Sequence, residues 1–536
     1  MSRVVVIGAG VGGLAAAARL AALGHEVALH ERADTHGGKL GVVEREGFVF
    51  DTGPSLLTLP GVLEEVFAAT GGPSGLVIEP VDPVCAYTFA DGTRLDMPHD
   101  PAAVPAALDA ALGPGAGAAW QALHERSGRL WELVGEAVLR RPLDLRALLR
   151  MSARLRDLRA VAPWRTLAGL GRELLPDPRL RTWFARYATY SGSDFRRTPA
   201  VLSVTPYVEQ RFGAWYVRGG LRRIADALLE RCRSLGVAVH LGSEVQAVTV
   251  AGGAVRGVRV GGREVPADVV VCNADAAVLY ERLLPAGTAR RARRDLRRAP
   301  RSLAGFVLLL GLGPADRAGC REPGAAHRVW FPRDYAAEFD AIFGRHPRPV
   351  PDPTIYVHAP DDPALRPDEA SEGWFVLVNA PVHDPGRGVD WDAPGLRERY
   401  ADHVLATLAA RGTDVRDRVR VREILTPADL ERRAGAPGGA IYGTASHGAR
   451  AALRRPANRS PVPGLYLVGG SAHPGGGLPL VLRSAEITAG LIGPAPGPPE
   501  GTRRGSSAGS PPRAAGAPPR PRPSTRPRAP WPSPTR

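Results

Sequence analysis

The sequence predicts an α/β protein: a two-domain, Rossmann-type dinucleotide-binding fold with a mixed α+β substrate domain inserted into it. Three observations carry this. A buried-strand run at residues 4–7 leads straight into Gly8, Gly10, Gly12 and Gly13 and then a helical pattern. A second strand pattern ends in Gly469 and Gly470 near the far end of the ordered sequence and is again followed by a helix. Between them lie alternating strand and helix patterns in a chain of 536 residues, 44% of them hydrophobic, which is enough for two or three domains.

The first element resembles a secretory signal or a membrane span only superficially. Its uncharged run, residues 4–18, is shorter than the roughly 20 residues a span needs, and four glycines interrupt it. The spacing predicts a buried parallel strand, a glycine turn, a helix over about residues 12–23, and a second strand at 26–30 that ends in Glu31. Gly8-Ala9-Gly10-Val11-Gly12-Gly13 fits G-x-G-x-x-G, and Glu31 follows Gly13 by 18 positions. Gly8 permits the tight turn, Gly10 lets a pyrophosphate approach the backbone, and Gly13 lets helix and strand pack closely. Free N–H groups and a partial positive charge at the helix start face the phosphates, and Glu31 is expected to accept from the ribose hydroxyls.

The loop after Glu31 points to FAD. Arg32 opens it, and Gly37-Gly38-Lys39 forms a second glycine pair beside a base, which resembles the flavoprotein loop that returns to the pyrophosphate. Arg32, Gly38 and Lys39 are therefore expected at the cofactor, in a two-domain, glutathione-reductase-like arrangement. A short strand at 237–240, a hairpin pattern from Glu244-Val245 to Val260 and an apolar strand across 267–275 return the chain to the same region. Val245 is the expected backbone contact for adenine. Near the end, Gly469 and Gly470 close a strand, and Gly475-Gly476-Gly477-Leu478-Pro479 opens a helix with proline in the first turn. Backbone amides at Gly476, Gly477 and Leu478 would face the flavin N1/C2=O edge, where reduction places negative charge.

These stretches accumulate into a resemblance. With Gly47-Phe48-Val49-Phe50-Asp51-Thr52-Gly53-Pro54-Ser55, Gly213-Ala214-Trp215-Tyr216-Val217-Arg218-Gly219-Gly220, Asn273-Ala274-Asp275 and Ala472-His473-Pro474, the chain resembles the bacterial-type phytoene desaturase family of carotenoid desaturases. The resemblance runs from residue 4 to 492. It implies that isolated C–C bonds of an apolar carotenoid precursor are oxidised by hydride transfer to flavin N5. Two details depart from the common pattern: Leu480 stands where glycine is usual, and the terminal loop reads Gly475-Gly476-Gly477. Hydroxycarotenoid desaturases and carotenoid isomerases share these motifs. A flavin amine oxidase, commonly with a lysine near N5, and a non-catalytic escort flavoprotein are further alternatives. Lys39 is the only lysine.

His473 and Asp51 are the candidate proton-handling residues near the flavin. His473 suits a loop cap equally well, and Asp51 suits a carboxylate that orders backbone N–H groups. Arg218 suits a cofactor or redox-partner contact, or a solvated surface charge.

The expected domain order is a first FAD-binding part at 1–85 and a helical, substrate- or membrane-facing region at 86–212. The second FAD-binding part follows at 213–285, the rest of the substrate domain at 286–459, and the C-terminal FAD-binding part at 460–493. Residues 494–536 hold 14 prolines and eight arginines against one glutamate, which reads as a disordered Pro/Arg-rich tail. That tail supplies +7 of the +15 formal charge, so the folded part is only modestly basic. Residues 139–165 carry eight arginines against two aspartates with leucines interleaved. They suit either a peripheral contact with the inner face of the cell membrane or a solvated face. No nucleic-acid-binding module is visible. Cys85, Cys232, Cys272 and Cys320 show no paired spacing, which argues against a disulfide scaffold or a cysteine zinc site, and no metal is expected. The location expected is cytoplasmic, and the sequence leaves open whether oxygen or a quinone takes the electrons.

Overall fold

The computed structural model describes residues 1–141, 162, 164–314, 324–449 and 451–496. Most of the basic stretch 139–165, Cys320 and the tail from residue 497 lie outside the described residues.

Apolar runs without alternation predict strands buried on both faces, and such strands assemble in parallel. Five do so here, in the order Leu465–Leu467, Val269–Cys272, Arg3–Ile7, Glu26–His30, Ala238–His240. The first strand is central, with Val4 opposite Val269 on one side and Val27 on the other. Covering it is the helix Val11–Ala22, whose glycines and alanines let it lie almost wholly buried. Two further helices pack on that one, Arg222–Ser234 and Leu478–Ile492. The last begins two residues earlier than the periodicity predicts, because Pro479 occupies the first turn, where a missing N–H costs nothing. The hairpin expected after Val245 is a three-stranded antiparallel sheet, Val245–Ala251, Ala254–Val260 and Arg263–Pro266.

A second, seven-stranded sheet is built around Ala304–Leu312, in which all nine residues are buried. Glu372–Ala380 and Val419–Leu425 flank it antiparallel. Beyond the former come Ile355–His358, His327–Trp330, Cys85–Thr88 and Arg94–Met97. This sheet thus takes two strands from just after residue 84 and five from after residue 303, while the parallel sheet draws on both ends and the middle of the chain. The strand Ile78–Pro80 joins neither sheet and pairs with Trp215–Val217. Helices Ala116–Leu139, Leu167–Leu174, Pro178–Arg186 and Val204–Phe212 pack beside the larger sheet, as the pattern between residues 101 and 207 predicts. Among the described residues no helix is long and apolar enough to cross a membrane.

Candidate active site

A cavity of about 1410 Å³ runs between the two sheets, larger than most small-ligand pockets. One end is the glycine turn after the first strand. Gly8 donates its N–H to the His30 carbonyl at 2.7 Å, which ties the turn to the neighbouring strand. Glu31 then closes the turn from the other side, its carboxylate accepting from the N–H groups of Ala9 at 2.8 Å and Ala33 at 2.9 Å. Gly8, Gly10, Gly12, Glu31, Arg32, Gly38, Lys39 and Val245 all line the cavity, although they come from three separate stretches of chain.

The residues fit an extended dinucleotide. A Cβ on Gly13 would stand 2.0 Å from the Gly8 carbonyl oxygen, so close helix–strand packing requires glycine there. A Cβ on Gly10 would meet the Asn273 amide nitrogen at 2.7 Å, and one on Gly12 the Asn273 amide oxygen at 2.6 Å. The helix start therefore presents bare backbone to the cavity, where unpaired N–H groups and the helix dipole favour phosphate oxygens. From there the cavity continues past Gly37 to Lys39 and on to Gly470, His473 and Gly475 to Leu478. Gly469 does not line it. Its φ of +99° and its approach to Asn273, 2.5 Å from an added Cβ, make it a packing position behind the wall.

Three residues hold the far wall in place. Arg455 donates to the carbonyls of Tyr442 at 3.1 Å, Thr444 at 3.1 Å and Gly470 at 2.8 Å, joining the 442–444 segment to the terminal loop. Burial pulls its guanidinium down to about 10, opposed by the Asp275 carboxylate. Tyr442 leaves so little room that a Cβ on Gly476 would meet its ring at 2.3 Å. Lys39 reaches across from the first loop and donates to the carbonyls of Ala440 and Ile441. Burial holds its ammonium below the usual range, and Asp275 opposes the effect.

The two proton-handling candidates are not brought together. His473 is buried, lines the cavity and holds the Arg141 carbonyl through Nε2 at 3.0 Å. Asp51 is not among the lining residues. Its carboxylate accepts from Leu221 N–H at 2.7 Å and Arg222 N–H at 3.1 Å, capping the helix Arg222–Ser234. Burial raises the Asp51 carboxyl to about 6, against those two bonds, which favour the charged form. Arg218 is exposed and pairs with Glu79 at 2.7 Å. Asn273, Tyr442 and Arg455 were not singled out as site residues by sequence reasoning. In a chain with so many arginines, nothing local separates Arg455 from a solvated one.

Beyond the terminal loop the walls become mainly apolar, with Val307, Phe375 and Leu377 from the larger sheet facing Leu202 and Val208 from the helical side. Polar side chains interrupt this lining at Arg186, Tyr190, Glu209, His327 and Tyr335.

Residues 11–310 match the family described as flavin containing amine oxidoreductase. The 4,4'-diapolycopene oxygenase of Methylomonas sp is 35% identical over 497 residues, covering 90% of this chain and 97% of that protein. The hydroxyneurosporene desaturase of Rubrivivax gelatinosus is 34% identical over 91% of this chain and 92% of its own length. The zeta-carotene-forming phytoene desaturase of Myxococcus xanthus is 35% identical, covering 90% and 92% respectively. Among solved structures, an oxidoreductase from Methanosarcina mazei superposes with a TM-score of 0.61 at 18% identity, over 91% of this chain and all of that one. Putrescine oxidase superposes with a TM-score of 0.61 at 17% identity, over 92% and 98%.

Proposed function

The chain belongs to the flavin-containing amine oxidoreductase family with FAD as its cofactor, and on that footing we propose that it is a carotenoid desaturase. The observation that carries this reading is the continuity of the cavity from the glycine turn, past the terminal loop, into an apolar channel between sheet and helices. A long polyene has no polar groups to be recognised along its length, so shape and apolar burial must hold it. The curated relatives that match over nine-tenths of the chain act, by their names, on such molecules.

Bound FAD supplies the hydride acceptor. Gly8, Gly10, Gly12 and Gly13 shape a turn that would hold its pyrophosphate, Glu31 would accept from the ribose, and Arg32, Gly38 and Lys39 would complete that end. Val245, on the same cavity wall, would meet the adenine. Gly469 and Gly470 end the strand that leads to the terminal loop, and the amides of Gly476, Gly477 and Leu478 would serve the polar edge of the flavin ring. Arg455 and Tyr442 fix the terminal loop so that these amides are pre-aimed. His473, inside the cavity beside that loop, takes or relays the proton that leaves the substrate carbon. Asp51 serves the helix start instead.

An amine oxidase reading gains nothing from the site: the one lysine, in the first loop, is committed to the backbone carbonyls of Ala440 and Ile441. Transfer of so apolar a substrate favours a peripheral contact with the cytoplasmic membrane face, with the basic stretch 139–165 as the contact. Oxygen or a quinone then reoxidises the flavin.

Co-expression with enzymes that supply acyclic C40 polyenes tests the reading. Absorption bands shifting into the visible, in step with added conjugation, support it. A holoprotein that leaves every polyene spectrum unchanged, hydroxylated ones included, overturns it.

A further inference from the structure

The channel is mainly apolar, and one stretch of its wall carries a buried ionic cluster. Arg186 is 8% exposed, with its guanidinium over the rings of Tyr87, Tyr187 and Tyr190 at 5.2 to 5.7 Å. It donates to the hydroxyls of Tyr87 at 3.4 Å and Tyr190 at 3.2 Å. Tyr190 in turn donates to Glu209 at 2.8 Å, and Tyr187 donates to the other Glu209 oxygen at 2.5 Å. The cation and carboxylate are thus linked through phenols, and the cluster is neutral as a whole. Burying charge in an apolar wall is costly even when paired.

Two groups that line the same cavity and feel the Arg186 charge each keep a polar atom without a hydrogen-bond partner among the described residues. The His327 side chain is 3% exposed and lines the cavity. Its Nδ1 is bonded to the Tyr356 hydroxyl at 2.7 Å, while Nε2 has no partner. The Tyr356 hydroxyl also bonds Ser55 Oγ at 2.7 Å, which fixes that side of the imidazole. Tyr335 is 7% exposed, its ring is held edge-on by Phe331 and Phe339, and its hydroxyl has no partner. Burial, with the neighbouring His358 and the Arg186 cation, holds His327 well below its ordinary value, so the imidazole is neutral and Nε2 can accept or donate. A buried polar atom with no partner is costly, and one on a cavity wall can be satisfied by a ligand group.

The cluster is near the terminal glycine loop: a Cβ on Gly192, two residues after Tyr190, would meet the Tyr442 ring at 2.8 Å. The Arg186 charge reaches the Tyr442 phenol, which burial pushes up to about 12, and the Tyr442 ring is the one that presses on Gly476. An oxygen held here would belong to the end of the polyene that is presented to the loop.

We propose that Tyr335 and His327, backed by the Arg186–Tyr190–Glu209 cluster, form a socket for a hydroxyl group on the polyene substrate. A hydroxyl suits the socket because it both donates and accepts, as a phenol and a neutral imidazole require of their partner. A carboxylate does not, since the cation of this cluster, Arg186, is already linked to the Glu209 carboxylate through Tyr190. This inference rests on the desaturase reading and narrows its substrate to oxygenated polyenes.

Two measurements on the purified holoprotein separate the socket from that reading. Binding is followed by the absorption shift of the polyene on the protein, and turnover by the growth of longer-wavelength bands. Both use one acyclic polyene with and without a terminal hydroxyl. The socket predicts that the hydroxylated polyene binds at least about tenfold more tightly and has the higher kcat/KM. Tyr335→Phe and His327→Asn should each shrink that preference about tenfold, acting on KM more than kcat, with the flavin spectrum retained as evidence of folding. Equal binding of the two polyenes to the unaltered protein overturns the socket, whether or not turnover occurs. A preference that both variants leave intact overturns it too. If the hydroxylated polyene is preferred in binding and neither polyene is oxidised, the socket stands and the desaturase reading falls.

Discussion

The Asn273 side chain stands where a side chain on Gly10 would have to go. Its amide nitrogen lies 2.7 Å from the position of a Gly10 Cβ, and its amide oxygen is equally close to those of Gly12 and Gly469. One carboxamide at the end of the strand Val269–Cys272 therefore touches the first glycine turn and the last, although more than 450 residues separate them. Gly10→Ala is expected to weaken flavin retention, since Asn273, which also packs against Gly8, Gly12 and Gly469, must shift to admit the methyl group. Combining it with Asn273→Ala should restore part of the bound flavin, read as the absorbance ratio of flavin to protein. Equal loss in the single and double variants would show that Gly10 answers to something other than Asn273.

Glu31 makes two charge-assisted bonds to backbone N–H groups that close the turn, besides its expected contact with the ribose. Glu31→Gln loses the charge and one acceptor. The expected cost is about 1.5–3 kcal/mol, which corresponds to an FAD dissociation constant raised at least tenfold. Titration of the apoprotein with FAD, followed by quenching of flavin fluorescence, checks this.

Arg455 bridges three carbonyls on two segments, which an ammonium cannot reproduce with its single point of attachment. Arg455→Lys should keep the fold but loosen the terminal loop. The expected result is a kcat lower by about tenfold or more, together with a shifted flavin absorption band, while circular dichroism is unchanged. An unaltered flavin spectrum would count against the bridge as the device that positions the loop.

Asp51 links pH to stability in the opposite sense to most carboxylates. Its folded value, about 6, lies above the ordinary value near 3.9, so the folded protein binds the proton more tightly than the unfolded chain does. The contribution is therefore complete below about pH 4 and is lost as pH rises through about 6. Asp51→Asn removes this dependence. The difference in Tm between the natural chain and the variant should shift in favour of the variant between pH 4 and pH 7, and a constant difference would place the titration elsewhere.

His473 is the cavity-lining candidate for the departing proton, so His473→Ala should lower turnover while flavin binding persists. Loss of flavin along with activity would identify the imidazole as a cap on the loop, through its bond to the Arg141 carbonyl.

Much of this protein is local in origin and so was legible in order along the chain. A run of β-branched residues makes the first strand, glycines at fixed spacing make the turn, an alanine-rich face makes the helix, and Pro479 starts the last one. The cofactor class and the interleaving of two sheets follow from such signals, because strand burial and turn chemistry are set by neighbours a few residues away. What each arginine, aspartate and tyrosine does was not legible. Asp51 sits in a motif close to the glycines in sequence, yet tertiary packing gives it to the start of the helix Arg222–Ser234. Arg186, Arg455 and Tyr442 look like any other surface-capable residue in the sequence. Only the meeting of the larger sheet, the helices and the terminal loop buries them, and burial turns an ordinary polar side chain into one that must find a partner.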